Sequence, residues 1–385
     1  MKKILLSLML PFLAYGELNP NIHLNGGTLN NAHVTFEQQK TGHVAFLGGS
    51  ITQMNGYRPM MVEALAKRFP DTKFTITAAG LGSTCSTSGA FRMDEHILKK
   101  GKVDLLYVEF AVNDDQDAQH SLRDARRGME GIIRHARKAN PDIDIVMTHF
   151  VNEHLMGAYR KGEVAPSIQA HDEVARQYQI PVINLAKEIQ EQIDTEKMTW
   201  EAFGGVHPKP FGNRHCADMH IALLDALWKG TLGPRKAHAL PKALDVFSYE
   251  NGHFISPADA TGDWQAHIPD WKSIKGGFRS DYANILCLTA DQVGQVAQLK
   301  FSGNAVGAFL LAGPDAGNVD ARVDGGEWKT VALYHRHSGG LHYPRTVMFA
   351  TDLTDGEHVL ELKVAEAKDE RSKGHAARLM YFVVN

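Results

Sequence analysis

The stretch that decides the fold is His43-Val44-Ala45-Phe46-Leu47-Gly48-Gly49-Ser50-Ile51-Thr52. An apolar run ends in two glycines and a serine, and helical periodicity follows at Met61, Val62, Leu65, Ala66 and Phe69. A run of this kind suits a strand buried on both faces of a parallel sheet. The pattern recurs at residues 73–78, 103–110, 143–150 and 181–185. Helical stripes fill the gaps: Met129, Ile132, Ile133 and Ala136 within 123–138, and Ile221, Leu224 and Leu227 at the end. Strand–helix alternation over 43–231 predicts a three-layer α/β/α sandwich built on a parallel sheet.

The residue pattern changes after Gly230. Gly233-Pro234-Arg235-Lys236 reads as a linker, and short β-rich runs follow at 296–301, 308–312, 321–323, 330–334, 346–350, 358–364 and 379–384. Asp324-Gly325-Gly326 and Thr354-Asp355-Gly356 are hairpin-type turns. Residues 237–385 are therefore expected to form an all-β sandwich or jelly roll. Residues 17–42, with Asn25-Gly26-Gly27 and the apolar stretch 34–37, read as a strand segment lent to either domain. In front of them, Lys2 and Lys3 precede an apolar run over 4–15 and the triplet Ala14-Tyr15-Gly16. That is the pattern of a secretory signal peptide cleaved near Gly16, which places the mature chain in the periplasm or outside the cell.

Composition narrows the function classes. The chain has 385 residues, 43% apolar and 22% charged, which is globular rather than disordered. A net charge of −3 supplies no broad cationic field for nucleic acid or anionic lipid. Beyond the N-terminus no window of about 20 apolar residues offers a membrane span. The three cysteines, Cys85, Cys216 and Cys287, are too few and too widely spaced for a disulfide framework. None lies in a CxxC pattern, so neither a metal nor another cofactor is expected. The sequence does not speak to oligomeric state.

Four pieces carry chemistry. Ser50 follows the first strand, at the carboxyl end of the sheet, where open α/β folds bind ligands. Thr52 stands where a G-x-S-x-G elbow has its second glycine, so the turn is of another kind. Ala79-Gly80-Leu81-Gly82-Ser83-Thr84 follows the second strand and frees backbone N–H groups. Glu109-Phe110-Ala111-Val112-Asn113-Asp114 follows the third, and the amide of Asn113 can serve a developing oxyanion. Gly204-Gly205-Val206-His207-Pro208 precedes the last helix, and His207 is a candidate general base for Ser50.

In this order the four pieces resemble the GDSL/SGNH hydrolase family over about residues 43–229. The resemblance implies that Gly49-Ser50 carries the nucleophile and that His207 is its base. It further implies an oxyanion hole made by the N–H groups of Ser50 and Gly82 and the side chain of Asn113. One departure matters. The family usually has an aspartate three residues before the histidine, and here that position is Gly204. Either a backbone carbonyl orients His207 in a Ser-His dyad, which is the favoured expectation, or another acid such as Glu201, Asp194 or Asp315 reaches in.

Weaker substrate-binding candidates are Gly49, beside the nucleophile, and Arg58, which suits a substrate carboxylate or a surface acid equally. In the β-rich region they are His335, His337, His342 and Arg345, and Asp315 in the turn from Gly313 to Asn318. Trp264, Trp271 and Trp328 are expected in the sandwich core or at its rim rather than against a sugar. Together these readings predict an exported serine esterase that removes O-acetyl groups from a glycan. The alternatives are a glycan O-acetyltransferase and a non-catalytic glycan binder on a decayed esterase scaffold.

Overall fold

The structure, a computed structural model, describes residues 17–385; the expected signal peptide at 1–16 lies outside the described residues. Six strands make the first sheet: β1 (Ile22–His23), β2 (Thr41–Gly48), β3 (Lys73–Gly80), β4 (Leu105–Val108), β5 (Asp144–His149) and β6 (Val182–Asn184). Their order is β1-β6-β5-β4-β2-β3. β2 to β6 run parallel, and β1 pairs antiparallel to β6 at the edge. Alternate residues of β2 explain why the sheet is covered twice. Val44 and Phe46 point into one apolar core, and Ala45 and Leu47 into another.

Eleven α-helices flank this sheet among the described residues: α1 (Asn30–Val34), α2 (Ser50–Gln53), α3 (Tyr57–Arg68), α4 (Ser86–His96), α5 (Ala111–Gln116), α6 (Leu122–Ala139), α7 (Glu153–Arg160), α8 (Pro166–Gln177), α9 (Leu185–Asp194), α10 (Trp200–Phe203) and α11 (Pro210–Trp228). Met61 and Leu65 of α3 and Leu223 and Leu224 of α11 fill the first core. Phe91 of α4 and Met129, Ile132 and Ile133 of α6 fill the second. The three-layer α/β/α sandwich read from the sequence is thus what the chain forms.

Two local expectations are corrected. Within 17–42 the strand residues are Ile22–His23, which join the α/β sheet at its edge, and Thr41 and Gly42, which already belong to β2. The stretch 34–37 is helical, because α1 runs on into a π-helical turn over Thr35–Gln39. Ala32 and Phe36, four residues apart, face the same core, and Phe36 packs on Phe69 and Trp228. That is helical rather than period-2 spacing. β3, read as doubly buried, is the sheet's free edge and keeps several residues partly exposed.

The second unit is a sandwich of two antiparallel sheets, ordered β15-β12-β17-β10-β9 and β14-β13-β16-β11-β8. β7 (His253–Ile255) pairs with β17 (Ala377–Val384), and β8 (Thr261–Gly262) with β11 (Val296–Gly303). The remaining strands are β9 (Gln265–His267), β10 (Cys287–Ala290), β12 (Val306–Ala312), β13 (Asn318–Val323), β14 (Lys329–Ala332), β15 (Tyr343–Ala350) and β16 (Gly356–Val364). Leu299, Leu310, Leu362 and Leu379 meet between the sheets. Asp324 and Gly325, both with left-handed φ, turn β13 back into β14.

The two units share a core. Phe91, Met129 and Ile133 of the α/β layers belong to the same apolar cluster as Tyr282, Cys287, Phe309 and Met380 of the sandwich. Polar ties reinforce it: Arg127 Nε lies 3.0 Å from Asp245 Oδ2, and Arg123 Nη2 lies 2.8 Å from Asp352 Oδ1. The linker is pinned as well, since Asn30 and Asn31 accept the N–H groups of Gly233 and Lys236 at 3.0 and 2.8 Å. All three cysteines are free and buried.

Candidate active site

Ser50 opens the short helix α2 directly after β2. Its neighbours explain the double glycine. A Cβ on Gly48 would lie 2.1 Å from Glu109 Oε1, and one on Gly49 2.1 Å from Asn113 Oδ1. The turn therefore lets two polar side chains press against the backbone, where any larger residue would collide. Glu109 is fully buried and accepts the N–H of Gly49 at 2.8 Å. Burial pushes its carboxyl up to about 7, with the nearby Asp114 charge adding to the rise. Arg92, also buried, donates to the carbonyls of Gly48 and Ala79 at 3.3 and 3.2 Å, tying together the ends of β2 and β3. Burial pushes this guanidinium down to about 10.

Ser50 Oγ and His207 Nε2 are 2.7 Å apart. His207 reaches this point from an exposed loop between α10 and α11. The loop is held from behind by Asn213, whose amide donates to the carbonyls of Pro208 and Lys209 and whose Oδ1 accepts the N–H of Tyr57 at 2.8 Å. Among the described residues, no carboxylate and no backbone carbonyl bonds the other ring nitrogen of His207. The acids named from the sequence are engaged elsewhere or solvent-facing. Asp194 pairs with Arg160 at 2.8 Å, Asp315 is held by both Arg378 nitrogens at 2.8 and 2.7 Å, and Glu201 is exposed. Gly204 has φ +113°, and a Cβ there would lie 2.2 Å from the nitrogen of Lys209. This loop path thus excludes an aspartate at that position.

The oxyanion-hole candidates surround the same turn. As the first residue of α2, Ser50 has an N–H with no acceptor inside its own helix. Asn113 stands on α5, with its amide against Gly49, and donates to Asp117 Oδ2 at 2.7 Å, which fixes the orientation of the amide. Gly82 donates its N–H to Gln53 Oε1 at 2.9 Å, and Gln53 in turn donates to Asp281 Oδ2 at 3.1 Å. Asp281 belongs to the sandwich. So does Arg279, whose guanidinium bonds Ser83 Oγ at 2.6 Å and crowds the α-carbon of Gly82.

A second sandwich loop meets Asp117. His335 Nε2 lies 3.0 Å from the carbonyl of Asp117, and Arg336 Nη2 lies 3.4 Å from its carboxylate. Burial pushes His335 down to about 4, and its ring stacks on Tyr343 with centroids 4.1 Å apart. A cleft of about 300 Å³ runs between the units, bounded by Ser83, Asp117, His335, Tyr343 and Arg345; Ser50 and His207 are not among its lining residues.

The other candidates separate. His337 is exposed and stands beside His335 and Tyr343. His342 is a correction: it is buried, bonded to the Lys275 carbonyl at 3.1 Å, and walled in by Trp271, so it faces the strap of residues 275–277 rather than a ligand. Asp315 is occupied by Arg378, as above. Arg58 bonds the Thr52 carbonyl and Asn55 at 3.2 Å each, bracing α2 rather than pairing with an acid. Gly49 has its N–H turned inward to Glu109 and so offers none to substrate. Trp264 is buried, while Trp328 is a rim residue covered by Arg322 and Lys363. Gln53, Glu109, Asp117, Arg279 and Asp281 were not anticipated. Of these only Glu109 stood within a quoted motif.

Residues 46–215 match the family described as GDSL-like lipase/acylhydrolase. The chain carries a GDSL-like hydrolase domain. The matched segment contains Ser50, Gly82, Asn113 and His207. Among solved structures, a two-domain esterase (CEX) active on acetylated mannans, co-crystallized with mannopentaose, superimposes with a TM-score of 0.74. It shares 20% identity, over 94% of this chain and 96% of that one. A second structure of a two-domain esterase of that description gives 0.74 at 19% identity, over 94% and 97%. The likeness establishes the fold across both units, the GDSL-like domain and the sandwich together. The comparison with curated proteins finds no match.

Proposed function

We propose that the protein is an exported carbohydrate acetylesterase acting through Ser50 and His207. The observation that carries this reading is the 2.7 Å contact between Ser50 Oγ and His207 Nε2, set at the carboxyl end of the sheet beside Asn113 and Gly82. Ser50 Oγ attacks the ester carbonyl and its proton passes to His207 Nε2. The tetrahedral oxyanion is met by the N–H groups of Ser50 and Gly82 and the amide of Asn113. His207 then returns the proton to the departing sugar hydroxyl, leaving acetyl-Ser50, and water activated by the same imidazole releases acetate. Gly82 can donate to the oxyanion once the Gln53 side chain turns away. Without a carboxylate partner, the imidazolium formed on His207 is stabilised by solvent at its exposed edge.

Three features support a glycan as the substrate. Ser50 and His207 lie open at the surface, which suits an ester displayed on a polymer. The rim is polar and comes from the sandwich, through Arg279, Asp281, His335 and Arg336. The whole two-unit fold is that of an esterase active on acetylated mannans. The segment at 1–16 fits export of such an enzyme to its polymer. The test is acetate release from a panel of acetylated mannan, xylan and pectin. Release above that from an aryl acetate control, lost in Ser50→Ala, supports the reading. Activity confined to long-chain acyl esters overturns it.

A further inference from the structure

Behind Asn113 lies a cluster that the proposed reaction does not use. Cys85, at the start of α4, Asp114, on α5, and His120, in the loop that follows, place a sulfur, a carboxylate oxygen and a ring nitrogen within 4.8 Å of one another. Cys85 and Asp114 are buried, and Cys85 and His120 form part of the wall of the interdomain cleft. We propose that Cys85, Asp114 and His120 are a three-ligand site for a zinc-class divalent cation, with its fourth position open to that cleft.

The donor set and its surroundings both fit. Thiolate, imidazole and carboxylate together suit zinc, which holds sulfur at about 2.3 Å and nitrogen or oxygen at about 2.0–2.2 Å. Tetrahedral angles at those lengths space the ligand atoms by roughly 3.3–3.8 Å, so a contraction of about an ångström seats the ion. Each ligand is also oriented by a neighbour, as metal ligands are. His120 Nε2 lies 3.4 Å from Thr87 Oγ1, and in the tautomer that donates from Nε2 to this hydroxyl, Nδ1 carries the lone pair. Nδ1 is buried, 3.4 Å from Asp114 Oδ1, and makes no well-directed hydrogen bond. The other carboxylate oxygen of Asp114 is held by His171 Nε2 at 2.9 Å, and Ser88 Oγ lies 3.5 Å from Cys85 Sγ. A site with three protein ligands and one open position is the arrangement of a zinc ion that also binds water or an oxygen ligand. Here the open position faces the cleft beside Arg345 and His335. The spacing 85–114–120 resembles no short metal motif, so the cluster is not legible before the chain is folded.

The test uses the full-length, untagged protein, stripped with a chelator and titrated with Zn²⁺ and with Co²⁺. The expected result is one Zn²⁺ per chain, and with Co²⁺ a thiolate-to-metal charge-transfer band together with the intense visible bands of tetrahedral cobalt. Cys85→Ser, close in volume, removes the charge-transfer band. Thr87→Val keeps the band and weakens Zn²⁺ binding by about 10–100-fold. The proposal is overturned if no stoichiometric binding occurs, if Cys85→Ser leaves the cobalt spectrum unchanged, or if Cys85 of the stripped and the Zn²⁺-treated protein is alkylated at the same rate. Since circular dichroism reports folding and none of these readouts is esterase activity, failure here is separate from failure of the esterase reading.

Discussion

The two halves of the active-site rim are built by different means. On the GDSL-like side, Ser50, Gly82, Asn113 and His207 each sit within a few residues of a strand end or a helix start. Local backbone geometry aims them, and short contiguous motifs record them. On the sandwich side, Arg279, Asp281, His335 and Arg336 arrive from two loops far along the chain and bond to Ser83, Gln53 and Asp117. No motif records them, because only the packing of one unit on the other brings them there. The first half is expected to supply the chemistry, and the second its polymer specificity.

The largest test of that division is Ser50→Ala. If the nucleophile is Ser50, kcat falls by a factor on the order of 10³ or more on any acetyl ester, whatever the sandwich contributes. More than about a tenth of wild-type turnover in the folded variant removes Ser50 from the reaction. Next comes Asn113→Ala, expected to cost about 2.7–4 kcal/mol, or roughly 10²–10³ in kcat, with KM little changed. A variant whose defect lies mainly in KM would move Asn113 to the substrate-binding side of the comparison.

Glu109 tests how far the GDSL-like half is strained to hold its turn. Burial raises its folded pKa from 4.5 to about 7, so between those values the folded chain keeps a proton that the unfolded chain has lost. Folding stability from this group is present in full below about pH 4.5 and declines as pH rises through about 7, by on the order of 3 kcal/mol. Glu109→Gln flattens that part of the profile. Urea unfolding of both proteins at pH 5 and pH 8 measures it, and parallel pH dependence in the two would sink the assignment.

The sandwich half is tested by Arg279→Ala. Arg279 bonds Ser83 and lies over Gly82, so its removal is expected to lower kcat/KM on acetylated polymer by about tenfold and to change turnover of a small aryl acetate much less. Equal loss on both would make Arg279 part of the chemical half. Excising the sandwich is the poorer experiment, since Tyr282, Phe309 and Met380 share a core with α4 and α6.

Legibility follows the same line. The α/β layers were readable because Val44, Phe46, Leu105 and Val146 lie in unbroken apolar runs, and the sandwich because its strands alternate between turn signals. The stretch 34–37 misled because four residues are too few to separate a period of 2 from one of 3.6. His342 and Asp315 misled because composition records neither the strap that covers the one nor Arg378, 63 residues on, that holds the other. Gln53 and Asp281 were invisible for the reason Arg279 was: their partners are fixed by docking, not by spacing.

The smallest expected effect concerns the missing acid. In a triad, loss of the aspartate costs about 10⁴ in kcat, because the histidine loses the partner that sets its tautomer. Here His207 has no such partner among the described residues, and Gly204 explains why. Its φ of +113° and the 2.2 Å approach of a Cβ to the Lys209 nitrogen keep a side chain out. What remains to hold the ring in place is the loop itself, braced by Asn213. Asp194→Asn and Glu201→Gln are therefore each expected to keep activity within about tenfold, since Asp194 is committed to Arg160 and Glu201 faces solvent. Asn213→Ala, which frees the Pro208 and Lys209 carbonyls, is expected to do more harm than either, although it removes no charge. A loss of roughly 10³ in a folded Asp194→Asn or Glu201→Gln protein would mean that the loop rearranges on substrate binding and recruits that acid. The contrast between a side chain aimed by its loop and one aimed by a carboxylate would then fail at the residue where it is sharpest.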